Sequence, residues 1–430
     1  MKDLPLFSDY SFQLPSLQSE TLHMSNGINL TCFPDRDSEL VRLEFMFSNA
    51  GSNNQEKFFA AAAAANMITE GSGNLSGIEI ADKLDYYGAY VEKNVDKETC
   101  SIVFYFPQKY SMELLPFIEM IIKQPRYAEK EFEIYRNRQK QSFLLNAQKT
   151  NMIAYKKFYN TVFTSANPLG RFGKVEDYDL LSREDVREFY DDFYSSYECE
   201  MSLAGNYSES FFVKLEQSFG SQEWGKKRDR TLFCCNKVAE NYAQTLFEHK
   251  DKAVQASIRL GNVTITPKEE DYHALRILVA LFGGYFGSRL MTNIREEKGY
   301  TYSIGSYIAD YKNCSVLLTT ADVKAEKAKS AIKEIGVEID KLHNDLVEDN
   351  ELLVLKNFLL GDCLRGLDGV FDLSEKFSSL RKNNLPLTYF NDMQNAIRQI
   401  SSEDIRTLAQ NYLCFDKMCK IIVCDKELLE

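Results

Sequence analysis

Metal and acid–base chemistry need histidines, cysteines or carboxylates at spacings a fold can bring together, and this 430-residue chain offers few. Its four histidines, His23, His249, His273 and His343, lie far apart. None has another four residues on, the spacing that sets two imidazoles on one face of a helix. The ten cysteines, Cys32, Cys100, Cys199, Cys234, Cys235, Cys314, Cys363, Cys414, Cys419 and Cys424, form no Cys-x-x-Cys pair. Several stand in apolar runs such as KIIVCD, which suits reduced buried thiols better than disulfides or a zinc ribbon. From Ile134 to Val175 there is not one Asp or Glu. The tract LFGGYFGSR (281–289) is rich in glycine but lacks the preceding strand and the Lys-Ser/Thr pair of a phosphate loop, so it reads as close packing or a flexible loop. The stretch FFAAAAAANM (58–67) reads as a helix whose small side chains let its neighbours come close.

The elements that must position any site repeat themselves. The segment 76–122 has a counterpart in 288–335: an amphipathic helix ends at a glycine, Gly88 or Gly299, where positive φ can close the helix, and two strands and another helix follow. Later, LSREDVREFYDDFY (181–194) matches ISSEDIRTLAQNYL (400–413). Ser182 with Asp185, and Ser401 with Asp404, have the spacing of a capping box at a helix start. A short apolar strand follows each helix, MSLAG in the first half and CKIIVC in the second. The polar stretch GSQEWGKKRDR (220–230) falls where a linker between the copies belongs. The expected organisation is α+β: an N-terminal domain over 1–225, a linker over 226–235 and a C-terminal domain over 236–430. Each domain is a mostly antiparallel sheet packed with helices.

Composition narrows the function. With 44% hydrophobic and 27% charged residues the chain can bury full cores. A net charge of -12 disfavours nucleic acid, because phosphate neutralisation needs a concentrated basic surface. The start, MKDLPLFSDYSFQLP, has no apolar run behind Lys2, and no later segment reaches the roughly 18 apolar residues that span a bilayer. The expected setting is cytoplasmic, without a membrane.

The duplicated arrangement resembles the pitrilysin-type M16 metallopeptidases and the mitochondrial processing peptidase subunits. The matching runs are LFGGYFGSRLMTNIREEKGYTYSIGS (281–306), NPLGRFGKVEDYDLLSREDVREFYDDFY (167–194) and NMITEGSGNLSGIEIADKLDYYGA (66–89). The resemblance implies two homologous domains forming half of a clamshell. It also implies a His-x-x-Glu-His zinc motif on a first-half helix, with a glutamate ligand roughly 75 residues later. Laid on this chain, the motif falls on Ala62, Ala65 and Asn66, and the acid-free stretch 134–175 removes the downstream ligand. Alanine has no lone pair to offer, and zinc sites usually take nitrogen or sulfur rather than an amide oxygen.

The resemblance further implies an arginine and a tyrosine reaching from the second half into the catalytic chamber, which here are Arg295 and Tyr302 in REEKGYTY. Arg295 lies near a helix end, Gly299 turns the chain, and Tyr302 opens a strand, so both can project from one end of the domain. A guanidinium and a phenol can donate hydrogen bonds to peptide carbonyls and to a forming oxyanion. The plainer alternative is an arginine neutralising Glu296 or Glu297 and a tyrosine in an ordinary strand.

The function expected is a non-catalytic subunit of a composite zinc peptidase, with no catalytic or metal-ligating residue of its own. It has no cofactor in this chain, since zinc is expected in an M16-type partner, or the chain pairs as a homodimer, with peptide as the substrate. The alternatives are a peptide-binding or self-associating scaffold, for which the strand-like residues 90–106 could accept an added strand, and a zinc peptidase with unrecognised ligands.

Overall fold

A computed structural model describes residues 19–228, 232 and 238–428. The expected linker at 226–235 falls largely outside the described residues. In the first half the strands are β1 (Glu20–His23), β2 (Asn29–Pro34), β3 (Leu40–Phe47), the small hairpin β4 (Gly71–Ser72) and β5 (Leu75–Ser76), β6 (Tyr90–Val95), β7 (Cys100–Pro107) and β8 (Cys199–Gly205). Six of them form one sheet in the order β1-β2-β8-β3-β7-β6. The second half contributes β9 (Thr245–His249), β10 (Gln255–Thr264), β11 (Thr301–Tyr311), β12 (Cys314–Lys324) and β13 (Cys419–Cys424), ordered β11-β12-β10-β13-β9. Both sheets are mostly antiparallel. One parallel pair interrupts each, β2 with β8 and β13 with β9.

Strict alternation decides which face each strand buries. In β3 the residues Val41, Leu43, Phe45 and Phe47 enter the first core, and Arg42, Glu44 and Met46 take the opposite face. The caps form as the spacing requires. Ser182 and Ser401 accept from the backbone N–H of Asp185 and Asp404, whose carboxylates reach back to the serines. Gly88 and Gly299 have φ of 61° and 64°, which closes the helices before the paired strands. The second of these helices differs from the expected amphipathic α-helix. Residues Met291–Glu297 wind as a π-helix, and so do Ala280–Gly284 in the glycine tract. Close packing explains Gly283, where a Cβ would lie 2.8 Å from the Ser306 Cβ.

Each half also lends a helix to the other. The Thr150–Phe163 helix lies on the second sheet, burying Ala154, Phe158, Val162 and Phe163 against Val316, Leu318, Ile421 and Val423. The Val370–Lys382 helix lies on the first sheet, with Phe377 against Phe33 and Ala204. Beneath it Arg42, 3% exposed, donates to Glu44 at 3.0 Å and to Ser374 at 3.1 Å. Ser378 donates to the same Glu44 at 2.6 Å, and Arg381 grips Glu200 through two bonds of 2.8 and 3.1 Å. No helix among the described residues is long and apolar enough to cross a membrane.

Candidate functional site

The alanine run folds as the helix Ala60–Asn66, entered through Phe59 at a positive φ of 73°. That strained entry is held by rings: Phe59 stacks on Tyr178 at 3.9 Å and meets Phe143 edge-on at 5.5 Å. Ala65 is fully buried, so no side chain larger than methyl is accommodated there without movement. Ala62 is half-buried and borders a cleft of about 490 Å³ whose walls include Asp96, Glu98, Tyr155, Tyr311 and Lys382.

Where the resemblance places imidazoles and a carboxylate, other groups tie the helix down. The Asn66 amide donates to the Tyr135 hydroxyl at 3.3 Å. The Lys93 ammonium donates to the Asn66 carbonyl at 3.1 Å and to the Thr69 hydroxyl at 2.9 Å. Tyr127 donates to the Ala64 carbonyl at 2.9 Å. Lys93 stands on β6, so one ammonium links the edge strand to the helix end, a position where carbonyls lack intrahelical partners. Burial pushes the Lys93 amine down from the usual lysine range, and Glu70 partly opposes this. Burial likewise pushes the Tyr135 phenol up. These groups make a packed structural joint. Among the described residues no cluster of three or more His, Cys, Asp or Glu is placed to hold a metal.

Lys93, Tyr127 and Tyr135 are absent from the residues that the sequence singles out. The signal for Tyr135 was present, because Tyr135 and Phe143 stand two helical turns apart in the acid-free stretch and turn one aromatic face toward the alanines. Nothing local marked Lys93, whose role depends on how β6 sits beside the helix.

Arg295 and Tyr302 lie on either side of the Gly299 turn. The Arg295 guanidinium sits over the Phe286 ring at 4.9 Å, and no carboxylate among the described residues, Glu296 and Glu297 included, lies within ion-pair distance of it. Phe286 is 63% exposed and Tyr302 is 89% exposed. Tyr302 owes its exposure to a register break in β11 between Thr301 and Ile304, where the Thr301 hydroxyl accepts from the Ser303 N–H. β11 is an edge strand of its sheet, as β6 is of the other. The two candidate regions are not brought together. Tyr311, at the far end of β11, borders the cleft at Ala62, and nine residues of extended strand, about 30 Å, separate it from Tyr302.

Known proteins share this architecture. The sequence model of the family described as peptidase M16 inactive domain matches residues 180–359. An uncharacterized zinc protease of Rickettsia felis is 24% identical over 82% of this chain and 85% of its own length. The crystal structure of a peptidase M16 inactive domain from Pseudomonas fluorescens covers 96% of this chain and 100% of that one, with a TM-score of 0.86 at 18% identity. The periplasmic protease PqqL from Escherichia coli covers 96% of this chain with a TM-score of 0.77 at 15% identity, and the match takes up 46% of the PqqL chain. The chain is thus similar in sequence to proteins named zinc proteases and in fold to a peptidase M16 inactive domain, and the family model matches its middle part.

Proposed function

We propose that this chain is a non-catalytic subunit that pairs with a separate zinc-bearing M16 chain and lends Arg295, Tyr302 and a chamber wall to peptide cleavage. The observation that carries the reading is the separation of about 30 Å between Tyr302 and the cleft at Ala62. Donors to a forming oxyanion must stand about 3 Å from it, so the distance of Tyr302 from its own alanine helix supports a role at a site that another polypeptide presents. The side chains suit such a role, since the phenol is exposed and the guanidinium is oriented by a ring rather than neutralised by a carboxylate. The partner supplies zinc, its ligands and the general base, and the PqqL chain, more than twice the matched length, is long enough for two such units. The proposed setting is the cytoplasm.

The test mixes the purified chain with an M16 partner carrying an intact His-x-x-Glu-His motif and follows cleavage of a quenched fluorescent peptide. Activity that needs both chains and falls with Arg295→Ala and Tyr302→Phe supports the composite site. Unchanged activity in both variants removes its central claim. A second reading, a peptide-binding scaffold without proteolysis, is favoured by β6, an edge strand open to an added strand. Peptide binding by the isolated chain with no gain of cleavage in any mixture supports that reading.

A further inference from the structure

A cleft elsewhere in the second half carries a charge imbalance that this function leaves unused. It lies between β11, the Tyr272–Val279 helix and the helices Asp349–Arg365, Val370–Lys382 and Tyr389–Gln399, and comprises two adjoining cavities of about 320 and 390 Å³. Each is within the size range of small-molecule sites. Arg276 lines both, and its side chain is open to solvent within the cleft. One guanidinium nitrogen donates to the Tyr389 hydroxyl at 3.0 Å, and no carboxylate among the described residues lies within ion-pair distance. Lys376, on the same wall, also has no carboxylate within that distance.

The acids of the cleft are already engaged. Asp310 accepts from Tyr272 through one oxygen and from Ser315 at 2.6 Å through the other, and Asp362 is bound by Arg365. Counting Arg276, Arg365 and Lys376 against Asp310 and Asp362 leaves one positive charge unmatched. Leu359, Leu380 and Met393 give the cleft an apolar side, while Ser379 and Asn383 add neutral polar groups to its lining. A guanidinium with free parallel N–H groups fits a carboxylate bidentately, and the side formed by Leu359, Leu380 and Met393 favours a short hydrocarbon group next to it.

We propose that this cleft binds a carboxylate carried on a short apolar group, with Arg276 as the anchor and Lys376 as the second cation. That chemistry belongs both to a free aliphatic acid and to the C-terminal residue of a peptide. Cys363 lines the cavity, half-buried, and supplies a readout independent of proteolysis.

The test uses the full chain, titrated calorimetrically with hexanoate and with N-acetyl-leucine, while alkylation of Cys363 by N-ethylmaleimide is followed by peptide mass spectrometry. Saturable binding and slowed alkylation with the acids, but not with hexanamide or N-acetyl-leucinamide, is the expected result. Arg276→Met should weaken affinity about tenfold or more, the scale of a lost charge-assisted hydrogen bond. Lys376→Met, at an exposed position that leaves packing intact, should weaken it severalfold, and Arg276→Lys should keep part of the binding because a point charge replaces the fork. Tighter binding of hexanoate assigns the site to free acids, and tighter binding of N-acetyl-leucine assigns it to chain ends. Amides that match the acids, absence of saturable acid binding, or unchanged affinity in both methionine variants would overturn the proposal.

Discussion

Replacing Arg42 by methionine tests the joint between the halves most directly. Arg42 is 3% exposed and makes bonds to Glu44 at 3.0 Å, Ser374 at 3.1 Å and Tyr105 at 3.3 Å. Methionine fills much of the volume but donates nothing, so Glu44, 4% exposed, keeps only the Ser378 hydroxyl as a side-chain donor among the described residues. A buried carboxylate stripped of its cation loses about 3–5 kcal/mol. Replacing Glu44 as well removes the stranded charge, and the Arg42→Met/Glu44→Met protein should return to within about 2 kcal/mol of wild type. The assay is equilibrium urea unfolding followed by fluorescence of Trp224, the one tryptophan, which packs on Phe47 of β3 and so reports on the first half. A chain this long need not unfold in one step, and an early transition of the first half alone would show the same loss. A single variant within about 1 kcal/mol of wild type, or a double variant as unstable as the single, refutes the argument that the pair acts as a unit.

Other outcomes follow from the same geometry. In the mixed complex, Arg295→Ala should lower kcat/KM about 10²-fold or more and Tyr302→Phe less, with the fold unchanged by circular dichroism because Tyr302 is exposed and Arg295, half-buried, rests on the exposed Phe286 ring. The purified chain should hold no stoichiometric zinc by mass spectrometry, and zinc should not raise its Tm. Asp96 ties the exchanged Val370–Lys382 helix to the first half: burial favours its neutral form, but the Lys382 ammonium and the Thr99 and Glu98 N–H groups outweigh this and hold the carboxyl below its usual range. A depressed carboxyl contributes stability above its ordinary pKa of about 4 and loses it as pH falls through the lower folded value. Wild type should therefore exceed Lys382→Met in stability near neutrality, with the gap closing on acidification in paired thermal melts. Lys93→Met should loosen β6 from the alanine helix, read as faster hydrogen exchange at residues 90–95 and 64–69, and unchanged exchange there would count against the joint.

Much of the fold was legible because its determinants are local. The capping serines and Gly88 and Gly299 announce helix ends through steric and hydrogen-bonding rules that hold wherever the residues stand. The helical form of the alanine run followed from propensity alone. What stayed hidden depends on distant partners. Burial of five alanines does not reveal that Tyr127, Tyr135 and Lys93 secure the helix carbonyls and amide, because those partners arrive from 27 to 69 residues away. The π-helical winding before Gly299 has no marker in SRLMTNIREE that separates it from an α-helix. The helix exchange was equally invisible, since the amphipathic Thr150–Phe163 segment fits either sheet until the second is built.

That exchange orders events during synthesis. The second sheet turns an apolar face of Val316, Leu318, Ile421 and Val423 toward a helix that leaves the ribosome before it, so cover is already waiting. The first sheet has the opposite schedule, because the Val370–Lys382 helix follows β8 by about 165 residues. At synthesis rates of roughly 5–20 residues per second its outer face stays bare for roughly 8–30 s. That face carries Phe33, Met46 and Ala204 but also Arg42, Glu44 and Glu200, charged side chains that water solvates well during the delay and that the late helix then engages through Ser374, Ser378 and Arg381. The charged groups on the first sheet's outer face thus suit the longer time for which the nascent chain must leave it open.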